Sequence, residues 1–148
     1  MIVYRSIGES ELNFLIHTDN PIYGNCKGYS GCGIQNSPYG LVSFFKKNIR
    51  WRDSCHLFHI AVKIPDNALF CISTYWASKD FGKTKVWTGR EGKTEYKIEE
   101  YFVRCYWPSD IISLEVGDSY YTQTAIKNNI VPFCRKYNIK ITVKGKEI

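Results

Sequence analysis

The sequence predicts an α+β fold with a mostly antiparallel sheet. Short runs of β-branched and aromatic residues recur along the chain, whereas only two or three segments have helical spacing. The regular alternation of strand and helix that marks parallel βαβ units is not seen. A chain of 148 residues has the length of one domain, which we place at 1–148, and it can bury a core without disulfides or metal.

The first half of the chain is predicted to contain one helix among several strands. A β-branched strand is expected over residues 2–7. Ser6 and Glu9 fit a capping box, and apolar residues at helical spacing predict a helix over residues 9–17. The glycine-rich segment 21–40 is typical of a long binding loop or lid. Three further strands are expected, over residues 41–45, 57–64 and 68–74.

The second half contains the longest strand candidate, over residues 96–106, after an irregular region at 75–92. We expect residues 111–116 to form its antiparallel neighbour. One helix is expected to run towards Asn128, and Pro132 suits the first turn of the next helix. A strand over residues 139–143 follows.

The charge and the composition narrow the classes of partner. A formal charge of +6 favours a polyanion or an anionic nucleotide, although no basic run exceeds two residues. The start lacks the features of a signal peptide, and no apolar stretch approaches the roughly 20 residues of a membrane span. We therefore expect a cytoplasmic monomer with reduced thiols and no membrane contact. The Cys and His spacings do not fit paired zinc ligands, so no metal is expected.

Three polar residues lie within strands that are otherwise suited to a core. Arg5 ends the first strand, Ser43 lies in a short apolar strand, and Glu100 lies in the longest strand candidate. An arginine fork suits a phosphate or diphosphate, and a strand carboxylate can stabilise developing positive charge. Simpler readings stay open for each residue: a strand-end arginine with its head group in water, a serine bonded to the main chain, and a solvated glutamate on an edge strand.

Taken together, these residues resemble the motif order of the ADP-ribosyltransferase superfamily, including its bacterial and phage toxin-like members. Tyr4-Arg5, followed by Glu9-Ser10-Glu11-Leu12, is similar to the first motif. Ser43-Phe44-Phe45 is similar to the second, and Glu100-Tyr101-Phe102-Val103-Arg104 to the third. The resemblance spans residues 1 to about 116. It implies a split two-sheet β core with two or three flanking helices.

The resemblance also implies a chemistry. NAD would be the co-substrate, without a metal. Glu100 and Arg5 would be catalytic, and the cofactor would contact the residues Tyr4, Arg5, Ser43, Phe44 and Phe45. Members that modify proteins often carry Gln or Glu two residues before the catalytic glutamate, where this chain has Ile98, or Lys97 if Glu99 is the functional carboxylate.

The acceptor therefore stays open between nucleic acid and protein. The residues that could face it are Trp76, Trp87 and Arg90. The alternative to an enzyme is a non-catalytic protein that uses the same basic and aromatic residues to bind nucleic acid, or one that inhibits a partner by occlusion.

Overall fold

The computed structural model of the chain describes residues 1–24, 42–46, 48, 58–66, 70–73, 99–116 and 125–148. Within these ranges, only the main chain is described for residues 70–73, 99–100 and 102. Its strands are β1 Ile2–Ile7, β2 Ile22–Tyr23, β3 Val42–Phe45, β4 Phe58–Lys63, β5 Phe70–Ser73, β6 Glu99–Val103, β7 Cys105–Tyr106, β8 Ile111–Val116, β9 Lys140–Val143 and β10 Lys146–Glu147. Its helical elements are α1 Glu9–Thr18, a 3₁₀ turn Pro108–Asp110, a π-helical turn Ile126–Ile130 and α2 Val131–Lys136.

Eight of these strands form one sheet in the order β10-β9-β8-β4-β1-β3-β6-β5, and β2 pairs with β7 in a separate ribbon. Every pair is antiparallel except β8 with β9, which is parallel. The predicted α+β class and the mostly antiparallel sheet are thereby confirmed. The helix α2 lies in the connection between the two strands of the parallel pair, β8 and β9.

Helix α1 follows β1 as its apolar spacing predicts. Leu12 and Leu15 are fully buried, which fixes the face that the helix turns towards the core. The predicted capping box is wrong: the N-cap is Gly8, which makes no side-chain hydrogen bond, and Ser6 is still part of β1. At the other end Asp19 has a left-handed conformation (φ 54°), and its N–H donates to the carbonyl of Leu15.

The long strand predicted over residues 96–106 is interrupted at Arg104. β6 joins the large sheet, whereas β7 joins the ribbon with β2. The strand at residues 111–116 exists, but the prediction of its neighbour is wrong: β8 pairs with β4 and β9 instead of β6. Pairing is decided by which apolar faces meet in the folded chain, and local alternation does not contain that information.

The core lies on one face of the large sheet. Among the described residues, the core cluster contains Val3 and Ile7 of β1, Leu12 and Leu15 of α1, and residues of α2 such as Phe133. None of the described helices is both long and apolar enough to cross a membrane.

Candidate functional site

Arg5 is a charged residue in a strand face that otherwise belongs to the core. Val3 and Ile7, two positions to either side of it, are 0% and 1% exposed. Alternation in β1 places all three residues on the same face of the sheet. Arg5 is itself only 8% exposed. A guanidinium at this depth requires compensation for its charge and acceptors for its N–H groups.

Glu11 of α1 supplies that compensation through a two-point ion pair. The Arg5 Nε donates to Glu11 Oε1 at 3.0 Å, and the Arg5 Nη2 donates to Glu11 Oε2 at 3.2 Å. The third nitrogen, Nη1, donates to the main-chain carbonyl of Ser43 at 3.0 Å. Arg5 therefore connects β1 to both α1 and β3 through one side chain.

Tyr106 completes the cluster from the β2–β7 ribbon. Its hydroxyl donates to Glu11 Oε1 at 3.1 Å. Its ring meets that of Phe44 edge to face, with centroids 5.4 Å apart and an angle of 81° between the ring planes. The four side chains of Arg5, Glu11, Phe44 and Tyr106 are all buried. We call these four residues the Arg5 cluster.

Within the cluster, Arg5 keeps its positive charge, and the negative charge of Glu11 compensates it. Burial alone lowers the pKa of Arg5, but the charge of Glu11 and the hydrogen bonds with Glu11 and Tyr106 raise it above its ordinary value. The hydrogen bonds to Glu11 and Ser43 involve all three guanidinium nitrogens, yet a guanidinium has five N–H groups. Tyr106 takes up part of the remaining donor capacity of the guanidinium. Arg5 can still orient a ligand, but it contributes little net positive charge.

The sheet brings the strands of the three predicted motifs side by side, in the order β1, β3, β6. Tyr4 is the register partner of Phe45, and Phe45 is the register partner of Glu100. These three positions form one row across the sheet. Arg5 is one residue away from this row, and alternation assigns it to the opposite face, with Phe44.

The predicted cofactor residues are therefore divided between the two faces of the sheet. Arg5 and Phe44 belong to the buried cluster. Tyr4, Ser43 and Phe45 have the opposite parity in their strands. Along β6, Tyr101 is the register partner of Phe44, and Glu99 has the same parity as Tyr101. By strand alternation, the position of Glu99 thus belongs to the same face of the sheet as Arg5, whereas the position of Glu100 belongs to the same face as Tyr4.

The three residues that we expect to face the acceptor, Trp76, Trp87 and Arg90, lie outside the described residues. The side chain of Glu100 does as well. Their predicted roles stay predictions.

Sequence reasoning missed Glu11 and Tyr106. A usable signal for Glu11 was present in the sequence. Arg5 alternates with Val3 and Ile7 in β1, which implies a buried charge and hence a buried partner. Glu11 lies one helical turn before Leu15, on the side of α1 that meets the core. No comparable signal marks Tyr106, because its contact with Glu11 crosses 95 positions of sequence.

The opposite face of the sheet contains a second buried polar pair. Ser6 and His59 are register partners on β1 and β4, 7% and 9% exposed, and Ser6 Oγ lies 2.9 Å from His59 Nδ1. His59 also lines a cavity of about 220 Å³. The other residues that line this cavity are Tyr4, Asn48, Ile60, Ala61, Ser113, Leu114, Glu115, Lys140 and Thr142.

The described ranges contain no group of three or more His, Cys, Asp or Glu side chains that could hold a metal ion. Comparison of the chain with protein-family models, with curated proteins and with solved structures gives no significant match.

Proposed function

We propose that the chain is an NAD-dependent mono-ADP-ribosyltransferase with the split two-sheet core of that family. The observation that supports this proposal best is the sheet order β1-β3-β6. The three motifs that resemble the family are far apart in the sequence, yet their strands are direct neighbours. The hydrogen bond from Arg5 to the Ser43 carbonyl joins the first two motifs directly.

In the proposed reaction the bond between C1′ of the ribose and the nicotinamide nitrogen breaks. The bonding electrons go to the nicotinamide ring, which leaves as a neutral molecule. A nucleophilic atom of the acceptor then bonds to C1′ and releases its proton to water. The functional carboxylate, Glu100 or its neighbour Glu99, accepts a hydrogen bond from the ribose 2′-hydroxyl and stabilises the oxocarbenium-like transition state.

The other predicted residues position the cofactor. Arg5, held by Glu11, donates from its terminal nitrogens to the diphosphate or the nicotinamide ribose. On the face of the sheet that Tyr4, Ser43 and Phe45 share, Ser43 contacts the ribose, and Phe45 with Tyr4 forms the wall of the nicotinamide pocket. Because Glu11 compensates the charge of Arg5, Arg5 orients the cofactor through hydrogen bonds and adds little net electrostatic attraction. We place the reaction in the cytoplasm, in keeping with the free thiols Cys105 and Cys134.

Transfer of label from NAD tests the proposal. The purified chain is incubated with NAD labelled in the adenylate part, together with single-stranded DNA, RNA or a protein extract. We expect label on one acceptor class with the wild type and at least a 100-fold lower rate for either Glu99→Gln or Glu100→Gln, since the loss of an electrostatic stabiliser typically costs about 10²–10³ in rate. Glu147→Gln is the matched control, because Glu147 is exposed on β10.

The outcomes separate the proposed enzyme from its alternative. Equal labelling by the wild type and both glutamate variants would contradict the proposal. An absence of labelling combined with binding of an oligonucleotide would favour the non-catalytic nucleic-acid-binding protein. An absence of both would favour a protein that inhibits a partner by occlusion.

A further inference from the structure

The C-terminal region 125–148 is strongly basic. It contains six Lys or Arg side chains and one acidic side chain, Glu147. All six basic side chains are exposed. They are Lys127, Arg135, Lys136, Lys140, Lys144 and Lys146.

Two of the six are compensated by a carboxylate. Lys136 donates to Asp19 at 2.9 Å, and Lys140 lies 3.5 Å from Glu147. Within the described part of the chain, the other four have no ion pair. The unpaired positive charge of this region is therefore carried by Lys127, Arg135, Lys144 and Lys146.

Two of the unpaired residues, Lys127 and Arg135, line a groove of about 940 Å³ together with Asn128. The rest of its lining is apolar: Ile126, Val131, Pro132 and Ile148. Ile148 is 60% exposed. We call this feature the C-terminal groove. Among the described residues that line it, none has an acidic side chain.

Strand alternation directs the one acidic side chain of the region away from the groove. Lys146 is the register partner of Val143, a member of the core cluster, and it lies two residues before Ile148. Glu147 is the register partner of Thr142 and lies beside Lys140. Successive residues of β10 point to opposite faces, so the one acid of the region is directed away from the groove.

The π-helical turn contributes residues to the lining of the C-terminal groove. Residues Ile126–Ile130 have π geometry, and α2 continues directly from them. Turns of this kind are rare and occur frequently at functional sites. Lys127 and Asn128, two of the polar groups of the groove, belong to this turn.

We propose that the C-terminal groove binds the sugar–phosphate backbone of a single-stranded nucleic acid. The unpaired cations and Asn128 contact phosphates, a type of contact that positions the strand without reading its sequence. The apolar side chains that line the groove favour a single strand, because its unstacked bases and its sugars can pack against them. A duplex has its bases stacked inside and presents mainly phosphates to the groove. The inference rests on the proposed function only in naming this strand as the ADP-ribose acceptor, because the binding itself requires no NAD.

Salt-dependent binding of a labelled 20-nucleotide DNA strand of mixed sequence, measured by fluorescence anisotropy without NAD, tests the inference. The groove variant is Lys127→Gln with Arg135→Gln. The matched control is Lys136→Gln with Lys140→Gln, which removes the same charge from residues that already have acidic partners. Thermal melting followed by circular dichroism checks that both variants are folded.

We expect the groove variant to lose at least tenfold in affinity at 50 mM salt. Its slope of log K against log salt is expected to fall by about 1.4, since each phosphate contact with a single strand contributes about 0.7. The control is expected to change affinity less than threefold. Ile148→Ser is expected to weaken binding of the single strand more than that of a duplex.

Three results would overturn the inference: equal losses for the two double variants, tighter binding of a duplex than of the single strand, or binding of vesicles containing one third phosphatidylserine with no binding of the strand. Its failure is distinguishable from failure of the proposed enzyme. Nicotinamide release without strand binding refutes only the groove, whereas strand binding without nicotinamide release refutes only the transferase.

Discussion

Arg5 and Glu11 form a two-point ion pair that ties β1 to α1 inside the core. Both side chains are almost completely shielded from water, at 8% and 1% exposure. A pair at this depth stabilises a fold little relative to apolar residues, but removal of one partner leaves a buried charge without compensation. The pair therefore fixes the position of α1 against the sheet, and it holds the arginine on which the proposed function depends.

The first prediction concerns this pair. Glu11→Gln is expected to lower the free energy of unfolding by about 3–5 kcal/mol, because Arg5 keeps its charge while its partner loses its own. Urea denaturation at pH 7 measures the effect, with Glu9→Gln on the exposed side of α1 as the control. Since a variant this weak can fail to fold, the double variant Arg5→Met with Glu11→Leu is also measured and is expected to regain most of the loss. A loss below about 1 kcal/mol for Glu11→Gln would show that the pair is not buried as described.

The second prediction concerns Ser6 and His59. Ser6→Ala removes the hydroxyl that lies 2.9 Å from His59 Nδ1. We expect a loss of about 1–3 kcal/mol in the free energy of unfolding, which is the cost of a buried polar atom that loses its hydrogen bond. Ser113→Ala, on the same face but only partly buried, is the comparison and is expected to cost less. If the two substitutions had equal effects, the Ser6–His59 contact would have no special energetic role.

The third prediction concerns the pH dependence of the contact between α1 and α2. Hydrogen bonds from Tyr137 and Lys136 lower the pKa of Asp19 below its ordinary value. A carboxyl group with a lowered folded-state pKa stabilises the fold above its unfolded pKa, and this contribution disappears as the pH falls through the folded value. The wild type is therefore expected to be more stable than Asp19→Asn at pH 7, and the difference is expected to shrink below about pH 4.

Asparagine is the matched replacement for Asp19 because it tolerates the left-handed conformation at this helix end. Denaturation curves from pH 2.5 to 7 provide the measurement. Tyr137→Phe, which removes the first hydrogen bond, is expected to reduce the pH-dependent part. A difference between wild type and Asp19→Asn that is constant over this range would contradict the described contact.

The fourth prediction concerns thiol reactivity. Burial raises the pKa of Cys134 to about 12, and its side chain is 1% exposed. We expect Cys134 to stay unmodified by iodoacetamide at pH 8 in the native protein and to react in urea, because the thiolate is the reactive form. Cys105 is only partly buried and is expected to react faster. Peptide mass spectrometry after timed labelling measures both, and faster native labelling of Cys134 than of Cys105 would refute the described packing.

Much of the local structure could be predicted from the sequence. The apolar residues around Leu12 and Leu15 predict α1, and the alternation in residues 57–64 predicts β4, because both patterns come from local geometry. The pairing of β8 with β4 and β9 could not be predicted in this way, since it depends on contacts between distant segments. The break at Arg104 was missed for the same reason: the two halves of that segment belong to different sheets.

The predicted site residues stay predictions, whereas the strands that carry them were predicted from the sequence. The motif residues Arg5, Ser43 and Glu100 were chosen one at a time, and the adjacency of their strands is a property of the folded sheet alone. Local alternation separates Arg5 from Tyr4 and Phe44 from Ser43, whereas the match between the faces of different strands depends on their register in the folded sheet. Glu11 was within reach of the sequence, because a core arginine requires a buried acid. The resemblance to the family places Glu11 only in the segment Glu9-Ser10-Glu11-Leu12 that begins α1.

Nicotinamide release from NAD by the wild type, Glu99→Gln, Glu100→Gln and Glu147→Gln tests the central claim most directly, because it requires no acceptor. We predict release by the wild type and by Glu147→Gln, and a loss of at least 100-fold for the variant that lacks the functional carboxylate. A greater loss for Glu99→Gln than for Glu100→Gln would identify Glu99, whose strand position belongs to the same face of the sheet as Arg5, as the functional carboxylate. Undetectable release by the folded wild type, or equal rates for all four proteins, would contradict the account.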